Sequence, residues 1–235
     1  MRIDGRENNA LRAFRVTPGF MPNSPGSCLV EWGNTRVLVT ANVEERVPPF
    51  LAGKGKGWLT AEYAMLPGST LGRKQRERQK SDSRSIEIQR LIGRSLRSVM
   101  DFEALGERMI TIDCDVIEAD GGTRTASITG GFLALSLLVK KLMAEGKLEQ
   151  NPIRENLAAV SAGMVGGEAL LDLCYAEDSS AEADMNFVGT ESGGISEVQI
   201  AGEKRTVSDE EFMALLALCK KGVAELIQKQ KEVLA

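Results

Sequence analysis

Residues 109–127 read Met-Ile-Thr-Ile-Asp-Cys-Asp-Val-Ile-Glu-Ala-Asp-Gly-Gly-Thr-Arg-Thr-Ala-Ser and carry the densest chemical signal in the chain. Ile110, Ile112, Cys114 and Val116 alternate with Thr111, Asp113 and Asp115, which predicts a half-buried strand. Gly121 and Gly122 break it, and an apolar stretch with helical spacing opens at Ala126. A strand that stops at Gly-Gly and restarts as a helix leaves free backbone N–H groups at the helix start. With the positive end of the helix dipole, those groups attract an anion. Thr123 adds a hydroxyl donor, and Arg124 a guanidinium fork that matches phosphate oxygens. The same residues also occur in ordinary strand–helix turns, where the threonine caps the helix and the arginine is solvated. The run is neither a Walker loop, which needs Lys-Ser/Thr after its last glycine, nor a G-x-G-x-x-G dinucleotide fingerprint.

A second constellation is the acidic turn Glu177-Asp178-Ser179-Ser180-Ala181-Glu182-Ala183-Asp184. Strand-like patterns flank it, so Asp178 and Asp184 are expected to face each other across a hairpin mouth. Such a turn is most often merely solvated. Oxygen ligands a few residues apart nonetheless suit Mg²⁺, which keeps several waters and needs few protein carboxylates. Asp113 and Asp115 are further candidates that the pattern does not separate from an exposed strand face.

The third feature is charge. The chain carries a net −4, yet residues 73–97 hold nine basic residues against three acidic ones. The run from Arg73 to Lys80 (Arg73, Lys74, Arg76, Arg78, Lys80) has no apolar periodicity and reads as a loop. A charge run is commonly a solvated face. In an acidic protein it also makes an electrostatic guide for an RNA backbone. No aromatic interleaves it, so backbone and shape contacts fit better than base stacking. Arg84 stands at the start of the next helix, where a cation opposes the helix dipole, and that conflict points to an anion nearby. Arg90, Arg94 and Arg97 share one helical stripe and read as structural or intersubunit ion-pair partners.

The chain has no histidine. That excludes Ser-His-Asp, Cys-His and two-histidine ribonuclease mechanisms and histidine-based zinc sites. A hydrolytic ribonuclease needs a base to activate water. Phosphorolysis does not, because phosphate is already an anionic nucleophile. Its difficulty is bringing one anion against another, which arginines, backbone N–H groups and a divalent cation relieve.

The elements that must position these groups follow from periodicity. Strands are predicted at 27–32, 36–43, 58–65, 109–117, 157–165, 169–175, 185–189 and 195–200, with Gly33-Asn34 as the first turn. Helices are predicted at 86–100 and 125–145, and Ser208-Asp209-Glu210-Glu211 is a capping box opening a last helix. Strands and helices interleave without regular alternation, which predicts a mixed α/β fold, an α+β mixed sheet. No linker or repeat divides the chain, so residues 1–235 are expected to form a single domain. Cys28, Cys114, Cys174 and Cys219 lack metal spacing and fall in apolar patterns, as buried thiols of a reducing compartment do. Six charged residues within the first fifteen exclude a signal peptide's apolar core. The longest apolar run, Gly130 to Val139, is half a membrane span. A cytoplasmic protein without a membrane partner is expected.

Several blocks also carry a resemblance. They are Gly33-Asn34-Thr35-Arg36-Val37-Leu38, Gly57-Trp58-Leu59-Thr60-Ala61-Glu62-Tyr63, Met65-Leu66-Pro67, the run from Glu87 to Arg97, Asp120 to Ser127, and Asp184-Met185-Asn186. In this order, across roughly residues 1–200, they resemble the ribonuclease PH family. The resemblance implies the ribosomal protein S5 domain 2-like fold and a phosphorolytic 3′→5′ exoribonuclease that trims 3′ extensions of tRNA precursors and other RNA 3′ ends. It implies inorganic phosphate as co-substrate held by Arg84, Gly122, Thr123 and Arg124. Asp178 and Asp184 would be the Mg²⁺ ligand and the acid–base group, their roles not apportioned. A homohexamer built as a trimer of dimers would bring basic loops together around an RNA entry. The alternative is a catalytically silent RNA-binding ring subunit of an exosome-like assembly, which predicts loss of the phosphate arginine or the late aspartates. A small-molecule phosphotransferase would need a Walker-type lysine, which is absent. The chain departs from the family at Ser83, where glycines usually precede the phosphate arginine, at Gly68, commonly arginine, and at Gly189, usually methionine.

Overall fold

The computed structural model describes residues 2–24, 26–76 and 82–235. In chain order the elements are β1 (Phe14–Pro18), β2 (Gly26–Trp32), β3 (Thr35–Glu44), β4 (Trp58–Met65), α1 (Ser83–Arg97), α2 (Phe102–Leu105), β5 (Met109–Glu118) and α3 (Thr123–Ala144). There follow β6 (Leu157–Val165), β7 (Glu168–Leu171), α4 (Tyr175–Asp178), β8 (Ala183–Thr190), β9 (Ile195–Gly202) and α5 (Asp209–Leu234). One sheet has the order β1-β2-β3-β5-β4, antiparallel except for the parallel β4–β5 pair, whose crossover carries α1. The second sheet, β7-β6-β8-β9, is wholly antiparallel.

Helix α3 packs between the sheets, against β2, β3 and β5 on one side and β6 on the other. Its buried residues Ile128, Phe132, Leu133, Leu135 and Leu138 point all round the axis, the pattern of a core helix. By length and composition α3 would also cross a bilayer, but 72% of its most apolar window is buried inside the protein. Its hydroxyls hid that length from a search for unbroken apolar runs: Ser127 and Ser136 donate to carbonyls four residues back, at 2.8 Å each. At Gly130 a Cβ would lie 2.6 Å from the Val30 side chain, so only glycine lets the helix approach β2 so closely.

Three differences from the sequence reading bear on the site. Helix α1 begins three residues earlier than predicted because Asp82 caps it, accepting from the Arg84 N–H at 2.6 Å. That carboxylate offsets the conflict between Arg84 and the helix dipole, so the dipole argument for an anion near Arg84 lapses. The strand predicted through Tyr175 ends at Leu171, because Asp172 turns to φ +57° and the one-turn helix α4 follows. Asp178 therefore closes a helical turn, and β7 is not β8's neighbour, so no hairpin mouth joins the two aspartates. Helix α3 also starts two residues early, at Thr123.

Edge strand β1 was not predicted, its Phe14-Arg15-Val16-Thr17 alternation being only four residues long, and it is held by Phe14 edge-on to Trp32 at 5.2 Å. The Ser208 capping box forms as read, with the Glu211 N–H donating to the Ser208 hydroxyl at 3.3 Å. Cys28, Cys114 and Cys219 are buried, and burial pushes Cys28 and Cys219 up to about 12. Cys174 is only half-buried, at the start of α4.

Candidate functional site

The N-terminus of α3 opens into a cleft of about 1150 Å³ between the two sheets. Gly122 is its N-cap, left-handed at φ +66°, and no side chain caps the first turn, so those N–H groups are left for the cleft. Gly121 must also be glycine: a Cβ there would meet the Leu173 carbonyl at 2.6 Å, on the strap leading into α4. The turn thereby holds the phosphate-type seat directly against the acidic segment.

Gly122, Thr123, Arg124 and Arg84 all line this cleft, and so do Asp178 and Asp184. The two constellations, separated by some sixty residues in sequence, are brought to one place. Tyr63, which sequence reasoning missed, donates from its hydroxyl to Thr123 Oγ1 at 2.9 Å and fixes that side chain. Arg124 is held by Gln199 Oε1 at 3.3 Å and Glu87 Oε1 at 3.5 Å. Arg84 is exposed in the first turn of α1.

The acidic pole is electrostatically tense. Burial pushes Asp178 above the usual carboxylate range, against the pull of Arg84 and Arg124. Burial, then Asp178, then Glu203 push Asp184 up as well. Asn186 Nδ2 donates to Asp184 Oδ2 at 3.3 Å. Among the described residues no group of three acidic, cysteine or histidine side chains could cage a metal. Two carboxylates in one cleft fit Mg²⁺ held jointly with substrate phosphates, which needs only one or two protein ligands.

The other candidates lie elsewhere. Lys74 lines the cleft and pairs with Asp82 at 3.4 Å, while Arg73 and Arg76 are exposed. Arg78 and Lys80 lie outside the described residues. Asp113 and Asp115 do not line the cleft; Asp113 sits beside Thr40 and Asn42 of β3, at 3.4 and 3.5 Å. Arg94 pairs with Glu197 at 3.0 Å, and Arg97 lies 4.9 Å over the Trp58 ring and donates to the Leu59 carbonyl. Arg90 is exposed.

A buried ionic network supports both poles, and sequence reading missed it because its members are far apart in the chain. Arg12 is paired with Asp172 at 2.7 Å and donates to the Asp120 carbonyl at 2.5 Å, under the Gly-Gly turn. Thr35 Oγ1 donates to the Gly121 carbonyl at 2.7 Å. The Asp120 carboxylate accepts from the Tyr175 N–H at 3.1 Å, tying the turn to α4. Arg2 forks onto Glu177 at 2.8 and 2.7 Å, beside Asp178.

Comparison with known proteins agrees with this geometry. The sequence pattern of the 3′ exoribonuclease family, domain 1, matches residues 10–140, and that of domain 2 matches residues 156–222. Ribonuclease PH of Neisseria meningitidis is 56% identical over 232 residues, covering 98% of this chain and 96% of that protein. Ribonuclease PH of Bacillus pumilus is 54% identical over 236 residues, covering 99% and 98%. An archaeal exosome core subunit superposes with a TM-score of 0.79 at 21% identity, covering 98% of this chain and 91% of that one. Rice Rrp46 superposes with a TM-score of 0.78 at 17% identity over the whole of both chains. These structural likenesses are of fold alone. With both domain patterns in order and ribonuclease PH relatives aligned along nearly its full length, the chain belongs to the 3′ exoribonuclease family of ribonuclease PH.

Proposed function

We propose that the chain is a phosphate-dependent 3′→5′ exoribonuclease that trims 3′ extensions of tRNA precursors, and that adds nucleotides from diphosphates in reverse. One observation carries this reading: in a chain without histidine, an uncapped helix start with Arg84 and Arg124 shares a cleft with the exposed carboxylate of Asp178 and the half-buried one of Asp184. Phosphate bound at Gly122, Thr123, Arg124 and Arg84 is neutralised where it must approach the RNA backbone. Its oxygen attacks the terminal phosphodiester phosphorus, the bond to the preceding 3′ oxygen breaks, and a nucleoside diphosphate leaves. The 3′ oxygen takes up a proton, and both Asp178 and Asp184 are shifted toward holding one. Whichever of the two carboxylates does not serve as the acid would be the Mg²⁺ ligand, and the ion would supply further charge neutralisation. A silent ring subunit is disfavoured, because the phosphate arginine and both aspartates are retained. A homohexamer built as a trimer of dimers, acting on RNA in the cytoplasm without a membrane partner, completes the reading. The deciding assay incubates the protein with a 3′-tailed RNA with and without phosphate. Diphosphates released only with phosphate are expected; monophosphates released without it would replace phosphorolysis by hydrolysis.

The basic segment gives a separate expectation. Replacing Arg73, Lys74, Arg76, Arg78 and Lys80 by alanine weakens tRNA binding and flattens its salt dependence. Each RNA phosphate no longer neutralised lowers the magnitude of the log–log slope by about 0.7–0.9. Turnover of a short unstructured oligonucleotide at saturation changes far less. An unaltered slope in a salt titration would mean that the segment is only solvated.

A further inference from the structure

Among the described residues, neighbouring groups on β6 and β8 in the cleft lack a protein partner. Ser161, on β6, is 7% exposed and lines the cleft, and its Oγ is buried with no hydrogen bond among the described residues. A hydroxyl stripped of water and left unpaired is uncommon in a folded protein and asks for a partner. Directly opposite it in the β6–β8 ladder stands Asn186, which lines the same cleft. Residues opposite one another in a ladder present their side chains to the same face. Asn186 spends its Nδ2 on Asp184, leaving Oδ1 free to accept.

The pair therefore offers one uncharged donor and one uncharged acceptor side by side, next to a carboxylate. Phosphate oxygens are acceptors only and are repelled by Asp184; their natural partners are Arg84, Arg124 and the α3 N-terminus in the same cleft. A sugar hydroxyl both donates and accepts and carries no charge. We propose that Ser161 and Asn186 form a ribose subsite: the Ser161 hydroxyl donates to, and Asn186 Oδ1 accepts from, the 2′-hydroxyl of a nucleotide flanking the scissile bond. The 2′-hydroxyl is the group that distinguishes RNA from DNA at a given site. The subsite rests on the exoribonuclease reading and adds to it the basis for choosing ribose.

The test uses full-length protein and three RNA oligonucleotides: all-ribose, 2′-deoxy at the last nucleotide, and 2′-deoxy at the one before it. Wild type discriminates against one of the deoxy substrates in kcat/KM, by roughly tenfold or more for a site built around that hydroxyl. Ser161→Ala lowers kcat/KM on all-ribose RNA and affects that deoxy substrate far less, so the ratio falls toward one. Asn186→Ala does the same. The thermal midpoint of ligand-free Ser161→Ala is unchanged or higher, because an unpaired hydroxyl has been removed. A merely structural serine would lower the midpoint and leave the ratio alone. Discrimination kept in full by both variants, or lost equally on ribose and deoxy substrates, overturns the subsite. Phosphate dependence of wild type on all-ribose RNA is read in the same experiment, so failure of the phosphorolytic reading registers separately.

Discussion

Asp184→Asn is expected to lower phosphate-dependent turnover by roughly a hundredfold or more, because it removes a charge and a proton-transfer group while keeping size. The same substitution should stabilise the fold. Asp184 is held above the usual carboxylate range by burial and by its acidic neighbours. A carboxyl whose folded pKa is raised costs nothing below its unfolded pKa of about 3.9. The penalty grows as pH rises to the folded value and persists above it. Without divalent metal the variant therefore melts higher than wild type at neutral pH, and the gap closes near pH 3. Arg124→Ala should behave oppositely toward substrates: it removes charge-assisted bonds to phosphate worth roughly 1.5–3 kcal/mol each, so the phosphate KM rises while RNA binding is nearly intact. Diphosphate release, RNA binding and calorimetry at both pH values check these outcomes. Near-normal turnover of Asp184→Asn across a Mg²⁺ titration would remove Asp184 from the chemistry.

The second large effect is on stability and lies outside the cleft lining. Asp172 is 1% exposed and accepts from the Arg12 N–H at 2.7 Å, the Arg12 guanidinium at 2.7 Å and Trp32 Nε1 at 2.8 Å. Asp172→Ala leaves the buried Arg12 guanidinium without its counter-ion and the Trp32 indole N–H without its acceptor, at a left-handed backbone position that alanine tolerates poorly. A loss of about 3–5 kcal/mol is expected. Asp172→Asn keeps the acceptor and the backbone tolerance and should lose less. Urea unfolding of both variants measures the difference. Equal losses would show that charge, not hydrogen bonding or backbone strain, dominates at this position.

Much of this molecule was legible because its signals are local. Alternation in β5, the apolar stretch of α3 and the Ser208 capping box each depend on neighbours in sequence, and each formed within a few residues of its expected place. The Gly-Gly turn with its uncapped helix start was readable for the same reason, since Gly121 to Arg124 is a strand–helix junction. Asp178 and Asp184 do line one cleft, but not across the hairpin mouth that the sequence suggested. Nothing in the sequence around Asp178 announces that Asp172 leaves the strand to meet Arg12, and that meeting makes α4 rather than a hairpin. The supporting residues Tyr63, Arg12, Asp172 and Ser161 matter through partners sixty or more residues away, or through lacking one, and periodicity carries no trace of either.

The ionic network also has a timetable. Arg2 meets Glu177 and Arg12 meets Asp172 across separations of 175 and 160 residues. At a synthesis rate of about 5–20 residues per second, Arg12 waits roughly 8–30 s for its counter-ion. Through that interval the carbonyls beneath the Gly-Gly turn lack their completed support, and the strand bearing Asp184 has yet to be made. A cleft assembled in this order holds its glycine turn and Arg124 well before its acidic side, which waits for Asp178 and Asp184 to be synthesised.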